Sequence, residues 1–413
     1  MNELTLDRSP RRSARLDTSR FPGAARLAVR ALGVMQSGSL SVTFPDGQCE
    51  TFGAGARRGE ITLRNWNVFA AALRHGDIGF AESYIGGDWS SRDLAQLLVV
   101  LLRNRAALER LVYGSFLGGL IDRLRHLLRR NTRTQAKRNI HAHYDLGNDF
   151  YALWLDSTLT YSSALFDEVG DPHTPADPAS LMEAQQAKYA RVLAQLGVAR
   201  GARLLEVGCG WGGFAAGALA AGHHVRGLTL SPAQLQLARQ RLGSTNGAAD
   251  LRLQDYREEH GKYDGIASIE MFEAVGEAYW PDYFAMLARC LKPGARACVQ
   301  TIVIADALFA RYRTSTDFIQ QYIFPGGMLP SPTEFERYAS AAGLRIVDRF
   351  AFGPHYAKTL CTWRARFEAR LADVRGLGFD ARFVAIWTFY LAYCEAAFAE
   401  SNTDVVQFTL AHA

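Results

Sequence analysis

The run Leu204-Leu205-Glu206-Val207-Gly208-Cys209-Gly210-Trp211-Gly212-Gly213 decides the fold. Residues 202–207 are an apolar segment of strand length, glycines crowd the turn after it, and residues 212–221 have helical spacing. Glycines there let the backbone turn sharply and approach a bound ligand closely. The dinucleotide fingerprint GxGxxG fits only loosely, through Gly208, Gly210 and Gly213. The acid Glu206, two places before the first glycine, and the rest of the chain disfavour it.

Working outward, residues 223–230 read as a second strand, followed by a helix that opens on the cap and first-position pair Ser231-Pro232. Residues 251–254, 264–269 and 296–304 read as the third, fourth and fifth strands. A helix over 279–291 is stopped by Lys292-Pro293-Gly294. Residues 344–350 and 405–411 close the sheet, and between them 382–400 is an aromatic-rich helix. This alternation predicts an α/β fold: a Rossmann-like, doubly wound sheet with late helical insertions. Thr229, Leu230 and Gln234 end the second strand, where many nucleotide-binding sheets place a ribose contact. Asp255-Tyr256 follows the third, where an adenine-contacting pair is expected.

The N-terminal part is different. Residues 39–44 alternate like a strand before the turn Pro45-Asp46-Gly47, and a second strand is expected near 61–63. Helical spacing covers 66–73, and a long basic amphipathic pattern runs from Asp93 to about Arg130. That pattern reads either as a membrane-surface or partner-binding helix, or as a packed helical hairpin with solvated arginines. The boundaries predict a basic, disordered tail over 1–35, a smaller α+β domain over 36–128, a basic linker over 129–140 and a larger domain over 141–413.

The net charge of +5 over 413 residues is unevenly spread. Residues 1–30 carry +4, residues 103–138 carry +8, and the remainder is therefore −7. Two basic segments on an acidic body point to an anionic partner, phospholipid or nucleic acid. The six cysteines are scattered, with no CxxC and no His at metal-ligand spacing, so no metal is expected and the thiols read as reduced and cytoplasmic. No apolar run reaches the length of a membrane span, so any membrane contact is expected to be peripheral.

Four further runs carry chemistry: 135–151 (QAKRNIHAHYDLGNDFY), Thr160-Tyr161-Ser162-Ser163-Ala164-Leu165-Phe166, Met271-Phe272-Glu273-Ala274-Val275-Gly276 and residues 322–331 (YIFPGGMLPS). The glycine loop resembles the first motif of S-adenosylmethionine-dependent methyltransferases. Together the five runs closely resemble the cyclopropane-fatty-acyl-phospholipid synthase family, which includes the mycolic acid methyltransferases. The resemblance implies transfer of a methylene group from S-adenosylmethionine to the cis double bond of an unsaturated phospholipid acyl chain through a carbocation. It assigns the cofactor to Tyr161, Ser162, Glu206, Gly208, Gly210, Gly212, Thr229, Leu230, Gln234, Asp255 and Tyr256, and the acyl pocket to Phe272, Tyr322 and Phe324. A bound bicarbonate is implied as the base that removes the final proton, held by Glu273, Tyr356, Gln300, Ser163 and the backbone of Ile302. Two of these positions depart from the family pattern: Gln300 stands where His is usual, and Ser163 where Cys is usual. Gln can hydrogen-bond but cannot carry a proton.

The resemblance also implies a lipid-associating N-terminal domain, a homodimer, and peripheral attachment to the inner face of the membrane through an anionic lipid surface. The alternatives are a methyl- or methylene-branched product, a small-molecule methyltransferase, or a noncatalytic lipid-binding module. Nucleic acid is not expected, because the residues flanking Glu273 lack the Asn-Pro-Pro-Tyr type of loop.

Overall fold

The computed structural model describes residues 16–112, 146–245 and 247–413. The chain divides into two compact units, Met1–Phe116 and Leu117–Ala413.

The first unit is built on a four-stranded sheet of β1 (Ser39–Thr43), β2 (Cys49–Phe52), β3 (Arg58–Leu63) and β4 (Trp89–Ser90), in the order β2-β1-β3-β4. Leu40 and Val42 of β1 and Ile61 and Leu63 of β3 are buried, as strict alternation requires of a sheet with one covered face. The cover is the helix Leu94–Arg103, capped by the Asp93 side chain on the backbone N–H of Gln96. It approaches β3 so closely that a Cβ on Gly59 would lie 3.1 Å from Leu97 Cα.

Two expectations change here. The amphipathic pattern from Asp93 is not one helix; it breaks at Asn104 before a second helix, Arg105–Val112. The buried Asn104 carboxamide accepts from Gln36 N and Ser37 N and donates to Ser37 O and Val100 O, so it serves neighbouring backbone instead of continuing a helix face. Residues 113–138 and the 129–140 linker lie outside the described residues. The tail expected over 1–35 is packed from Phe21 onward. Phe21 is buried, 4.9 Å from the Phe44 ring and 4.5 Å from Trp66, and the helix Gly23–Leu32 buries Ala25, Ala31 and Leu32. Its arginines, Arg26 and Arg30, stay exposed, so the part of the tail's charge that they carry lies on a helix surface.

The second unit contains β5 (Arg203–Val207), β6 (His224–Thr229), β7 (Ala249–Leu253), β8 (Tyr263–Ile269), β9 (Leu291–Ile304), β10 (Leu344–Ala351) and β11 (Thr403–His412). Their order is β10-β11-β9-β8-β5-β6-β7. The five strands from β7 to β9 are parallel, and β11 inserts antiparallel between β9 and β10. One face packs Val192, Leu196, Phe214 and Ala218, from the helices Pro178–Leu196 and Gly213–Ala220, against Leu204 and Val225. The other packs Trp280, Tyr283, Phe284, Leu287 and Phe335 against Leu205, Ile266 and Val299. The sheet is therefore doubly wound, as expected. β9 starts earlier than the sequence implies, at Leu291, so Lys292-Pro293-Gly294 lies within a strand.

The chain runs outward from β5 through β6 and β7 and then returns to β8 on the other side of β5. That reversal opens a crevice at the C-terminal ends of β5 and β8, the place where open α/β sheets bind ligands.

Candidate functional site

Two turns leave the sheet at this reversal. The first is the glycine loop after β5. Gly208, Gly210 and Gly212 have φ of 85°, 49° and 84°, conformations that side-chain-bearing residues rarely adopt. A Cβ on Gly208 would come within 2.8 Å of the Met271 side chain, whereas one on Gly210 would meet nothing within 4 Å. The loop is thus tight on the side of β8 and open at Gly210. Its backbone is held by Gly208 N and Cys209 N, which both donate to Leu228 O at 3.0 and 2.8 Å. Glu206, at the end of β5, is buried, and its Oε2 has no hydrogen-bond partner among the described residues. Burial pushes its pKa well above the carboxylate range, against the pull of Lys188.

Beside the loop, Thr229 donates to Gln234 Oε1 at 3.2 Å, which turns the Gln234 amide so that its NH2 is left as a donor. Leu230 follows, half-buried. Asp255 differs from expectation. Its carboxylate is taken by Arg257 through two side-chain bonds of 2.9 and 2.6 Å and a backbone bond of 3.0 Å, forming the cap of a short turn. The Tyr256 ring lies 5.7 Å from Tyr283. Tyr161 pairs its hydroxyl with that of Tyr390 at 2.7 Å, and Ser162 accepts from Lys188 Nζ at 2.6 Å.

The second turn follows β8 and carries Glu270 and Glu273. The sequence reading found Glu273 but not Glu270, which is the centre of the site. Glu270 Oε1 accepts from Ser163 N at 2.8 Å and from Gln300 Nε2 at 2.7 Å, and its Oε2 accepts from the Tyr356 hydroxyl at 2.7 Å. Ser163, Gln300 and Tyr356 were expected around a bicarbonate; the structure brings all three together on a protein carboxylate. Glu270 also has φ of 49° without being glycine. Burial raises its pKa, partly offset by Lys188 and the three donors.

Glu273 is set differently. Its Oε1 accepts from Ile302 N and, at 3.0 Å, from Thr301 Oγ1, while its Oε2 has no partner among the described residues. The Ile302 N–H therefore holds Glu273 itself. Burial first, and then the charge of Glu270, push the Glu273 pKa up to about 8. Both residues are half-buried, and the Glu273 Oε2 atom itself is buried.

Gln300 is oriented from behind. Gln407 Nε2 donates to Gln300 Oε1 at 3.0 Å, Arg191 Nη1 donates to Gln407 Oε1 at 2.6 Å, and Arg191 pairs with Asp348 at 2.9 Å. This chain fixes the Gln300 amide with its NH2 toward Glu270. Lys188, on the helix Pro178–Leu196, is fully buried among Glu206, Glu270 and Asp156. Burial lowers its pKa to about 7 against the opposing pull of those acids. It too escaped the sequence reading, although it is one of only five lysines in the chain and lies on the helix face that buries Leu181, Ala184, Val192 and Leu196.

The aromatic residues separate into two groups. Phe272 is core, fully buried 4.8 Å from Tyr283 and 5.4 Å from Trp280, and does not line the crevice as expected. The apolar faces of the surrounding helices pull its ring inward, while the next residue's carboxylate stays at the crevice. Tyr322 and Phe324, on and after the short helix Phe318–Tyr322, remain partly accessible. Around Tyr356 lie Phe398 at 4.4 Å and Trp363 at 6.1 Å. Within the expected 135–151 run, residues 135–145 lie outside the described residues.

Comparison with known proteins gives a consistent picture. The model of the family described as mycolic acid cyclopropane synthetase matches residues 131–408. A tuberculostearic acid methyltransferase of Mycobacterium tuberculosis is 38% identical, over 98% of this chain and 99% of its own length. The cyclopropane-fatty-acyl-phospholipid synthase of Escherichia coli strain K12 is 32% identical, over 86% of this chain and 88% of its own. A crystal structure of mycolic acid cyclopropane synthase CmaA1 complexed with SAH and CTAB superposes with a TM-score of 0.60 at 33% identity, covering 66% of this chain and 97% of that one. The sheet is the fold of S-adenosylmethionine-dependent methyltransferases.

Proposed function

The chain belongs to the mycolic acid cyclopropane synthetase family, and on that premise we propose that it transfers a one-carbon unit from S-adenosylmethionine to the double bond of an unsaturated fatty-acyl chain. One observation carries this reading: the Glu270–Glu273 acid turn and the glycine loop leave the same ends of adjacent parallel strands, β8 and β5. When bound, S-adenosylmethionine supplies an electrophilic sulfonium methyl, so a weak alkene nucleophile suffices and no Ser or Cys nucleophile is needed.

The residues present fit that cofactor. The open space at Gly210, the unpartnered Glu206 Oε2 and the free donor of Gln234 offer a close-approach surface and polar groups for it. Tyr161 and Ser162 stand at the junction between this loop and the acid turn. A carbocation on the acyl chain must be kept from water. Tyr356 and Phe324 supply apolar walls whose ring faces also favour a cation, with Trp363 and Phe398 packed against Tyr356. The Asp255 carboxylate is oriented by its bonds to Arg257.

Bicarbonate does not fit the residues present, because the donors implied for it are committed to Glu270. Loss of one proton from the transferred methyl gives a cyclopropane ring directly, or an exocyclic methylene once a 1,2-hydride shift has moved the cation to the methyl-bearing carbon; a saturated methyl branch would further require a hydride donor. Ring formation is the outcome that the sequence resemblance implies. The near full-length match to a tuberculostearic acid methyltransferase favours the branched product, and we take that as the leading reading.

The test is incubation with S-adenosylmethionine and unsaturated phospholipid vesicles, followed by proton NMR of the acyl chains. Vinylic methylene signals are expected, upfield cyclopropyl protons would select the ring, and an unchanged acyl chain would sink the proposal. Among the described residues no helix is long and apolar enough to cross a membrane. Access to membrane acyl chains is therefore proposed to use the +8 segment 103–138 on anionic lipid. Vesicle co-sedimentation should weaken as salt rises from low to physiological strength, and salt-insensitive binding would remove that role.

A further inference from the structure

We propose that Glu270 is the general base of this enzyme, a carboxylate built into the chain where a bound bicarbonate would otherwise take up the proton. The inference rests on the one-carbon transfer proposed above and names the group that completes it.

Three donors converge on the Glu270 carboxylate: Ser163 N, Gln300 Nε2 and the Tyr356 hydroxyl, at 2.8, 2.7 and 2.7 Å. Carboxylate and bicarbonate present the same planar, anionic pair of oxygens, so one nest serves either but not both. The Ser163 amide and the Tyr356 hydroxyl have one proton each, and both are spent on Glu270. Gln300 is locked as a donor by Gln407, Arg191 and Asp348 behind it, so it cannot turn its oxygen toward the site. A locked donor demands an acceptor, and Glu270 is that acceptor.

The backbone carries independent testimony. Glu270 holds φ of 49° at the end of β8, a conformation that glycine adopts freely and L side chains rarely do. Strained non-glycine positions of this kind concentrate at functional sites, where the surrounding structure holds the side chain in place. Here the strain aims a carboxylate into the crevice at the strand-order reversal.

Counting lone pairs selects the atom. Oε1 accepts two hydrogen bonds, while Oε2 accepts only that of Tyr356 and keeps a lone pair open. Oε2 is therefore the proton acceptor. A C–H bond of the transferred methyl breaks: with the cation on the neighbouring chain carbon its electron pair forms the last C–C bond of the ring, and after a 1,2-hydride shift has moved the cation to the methyl-bearing carbon it forms the second bond of the methylene. The proton goes to Oε2 and then to water. Glu273, three residues on, stays protonated near neutral pH, because it is buried beside the Glu270 charge.

The test compares the full-length protein with Glu270→Gly and Glu270→Gln. Glycine suits the backbone and empties the nest; glutamine fills it without a base. Two readouts are taken: binding of ¹³C-bicarbonate by NMR, and turnover on unsaturated phospholipid vesicles in bicarbonate-depleted and bicarbonate-supplemented buffer. Calorimetry with S-adenosylmethionine confirms that each variant is folded. The wild type is expected to bind no bicarbonate and to turn over equally in both buffers. Glu270→Gly should bind bicarbonate, lose about 100-fold or more of its turnover without it, and recover with it. Glu270→Gln should lose a similar factor in both buffers. Bicarbonate binding by the wild type, bicarbonate-dependent wild-type turnover, or a fully active Glu270→Gln would each overturn the proposal. Wild-type protein that binds no bicarbonate and leaves every acyl chain unchanged would instead count against the proposed function, since the nest would be closed but the reaction absent.

Discussion

The loop after β5 and the turn after β8 sit on neighbouring strands and both present carboxylates, but in opposite states. Glu206 is buried with one oxygen bare, whereas Glu270 accepts from three donors drawn from three separate parts of the chain and keeps one lone pair of Oε2 open. A bare buried carboxylate beside an open glycine loop is a site that waits for a ligand's donors. One already held by three donors on a strained backbone has a fixed orientation and keeps only its open lone pair for chemistry. Glu273 belongs with Glu206 in this respect: one oxygen is anchored and the other left without a partner. Lys188 connects the two regions, since its charge is felt by Glu206 and Glu270 alike.

Removing that shared cation is the strongest way to break the contrast. Lys188→Met should destabilise the protein by about 3–5 kcal/mol at about pH 6.5, below the lowered Lys188 pKa of about 7 where the cation is present, measured by urea unfolding, because it strands buried acids without compensation. The loss should shrink toward pH 5 as those acids take up protons. An equal loss at both pH values would mean that Lys188 acts through packing alone.

The next largest effect separates the loop from the turn. Gly210→Ala should weaken S-adenosylmethionine binding about tenfold, because its Cβ would project into space that no protein atom fills. The melting temperature should fall only slightly, by the cost of a left-handed alanine, about 1 kcal/mol. Calorimetric affinity equal to wild type would place the cofactor elsewhere.

Glu273→Gln sharpens the difference within the acid turn. Glutamine imitates the protonated form, so turnover at pH 7 should fall by about tenfold at most, far less than for Glu270→Gln. Stability supplies a second reading. The folded pKa of Glu273, about 8, lies above its ordinary value, so the stability it contributes is present below about pH 4.5 and is lost as pH rises through 8. Relative to wild type, the variant should therefore gain stability between pH 5 and pH 8.5. A pH-independent difference would contradict the raised pKa. The smallest effect is expected at the far end of the relay: Asp348→Ala, which loses a partly exposed ion pair with Arg191, should lower turnover by about two- to threefold.

How much of this was legible in the residues follows from what each feature depends on. Strand and helix identity depends on local spacing, and the glycine loop, the Ser231-Pro232 helix start and all seven strands of the larger sheet could be read along the chain. Glu273, Gln300, Ser163 and Tyr356 were legible too, because each lies within a recognisable run. Glu270 was hidden: it adjoins one of those runs, but its meaning comes from donors at positions 163, 300 and 356. Phe272 was misjudged, since no spacing rule distinguishes a ring at a crevice from one packed behind it. The tail was misjudged because its arginines outnumber the few apolar residues that Phe44 and Trp66 cover.

The sequence by itself determined the doubly wound sheet, the glycine turn after its first strand, and the family, because all three are written in local periodicity and short motifs. Only the tertiary structure decided which carboxylate receives the three donors and which is left with an open oxygen. That choice depends on the reversal of strand order between β5 and β8, which brings residues more than a hundred positions apart within hydrogen-bonding distance. Hydrogen bonds act only at such distances, and nothing in the linear order of residues states them.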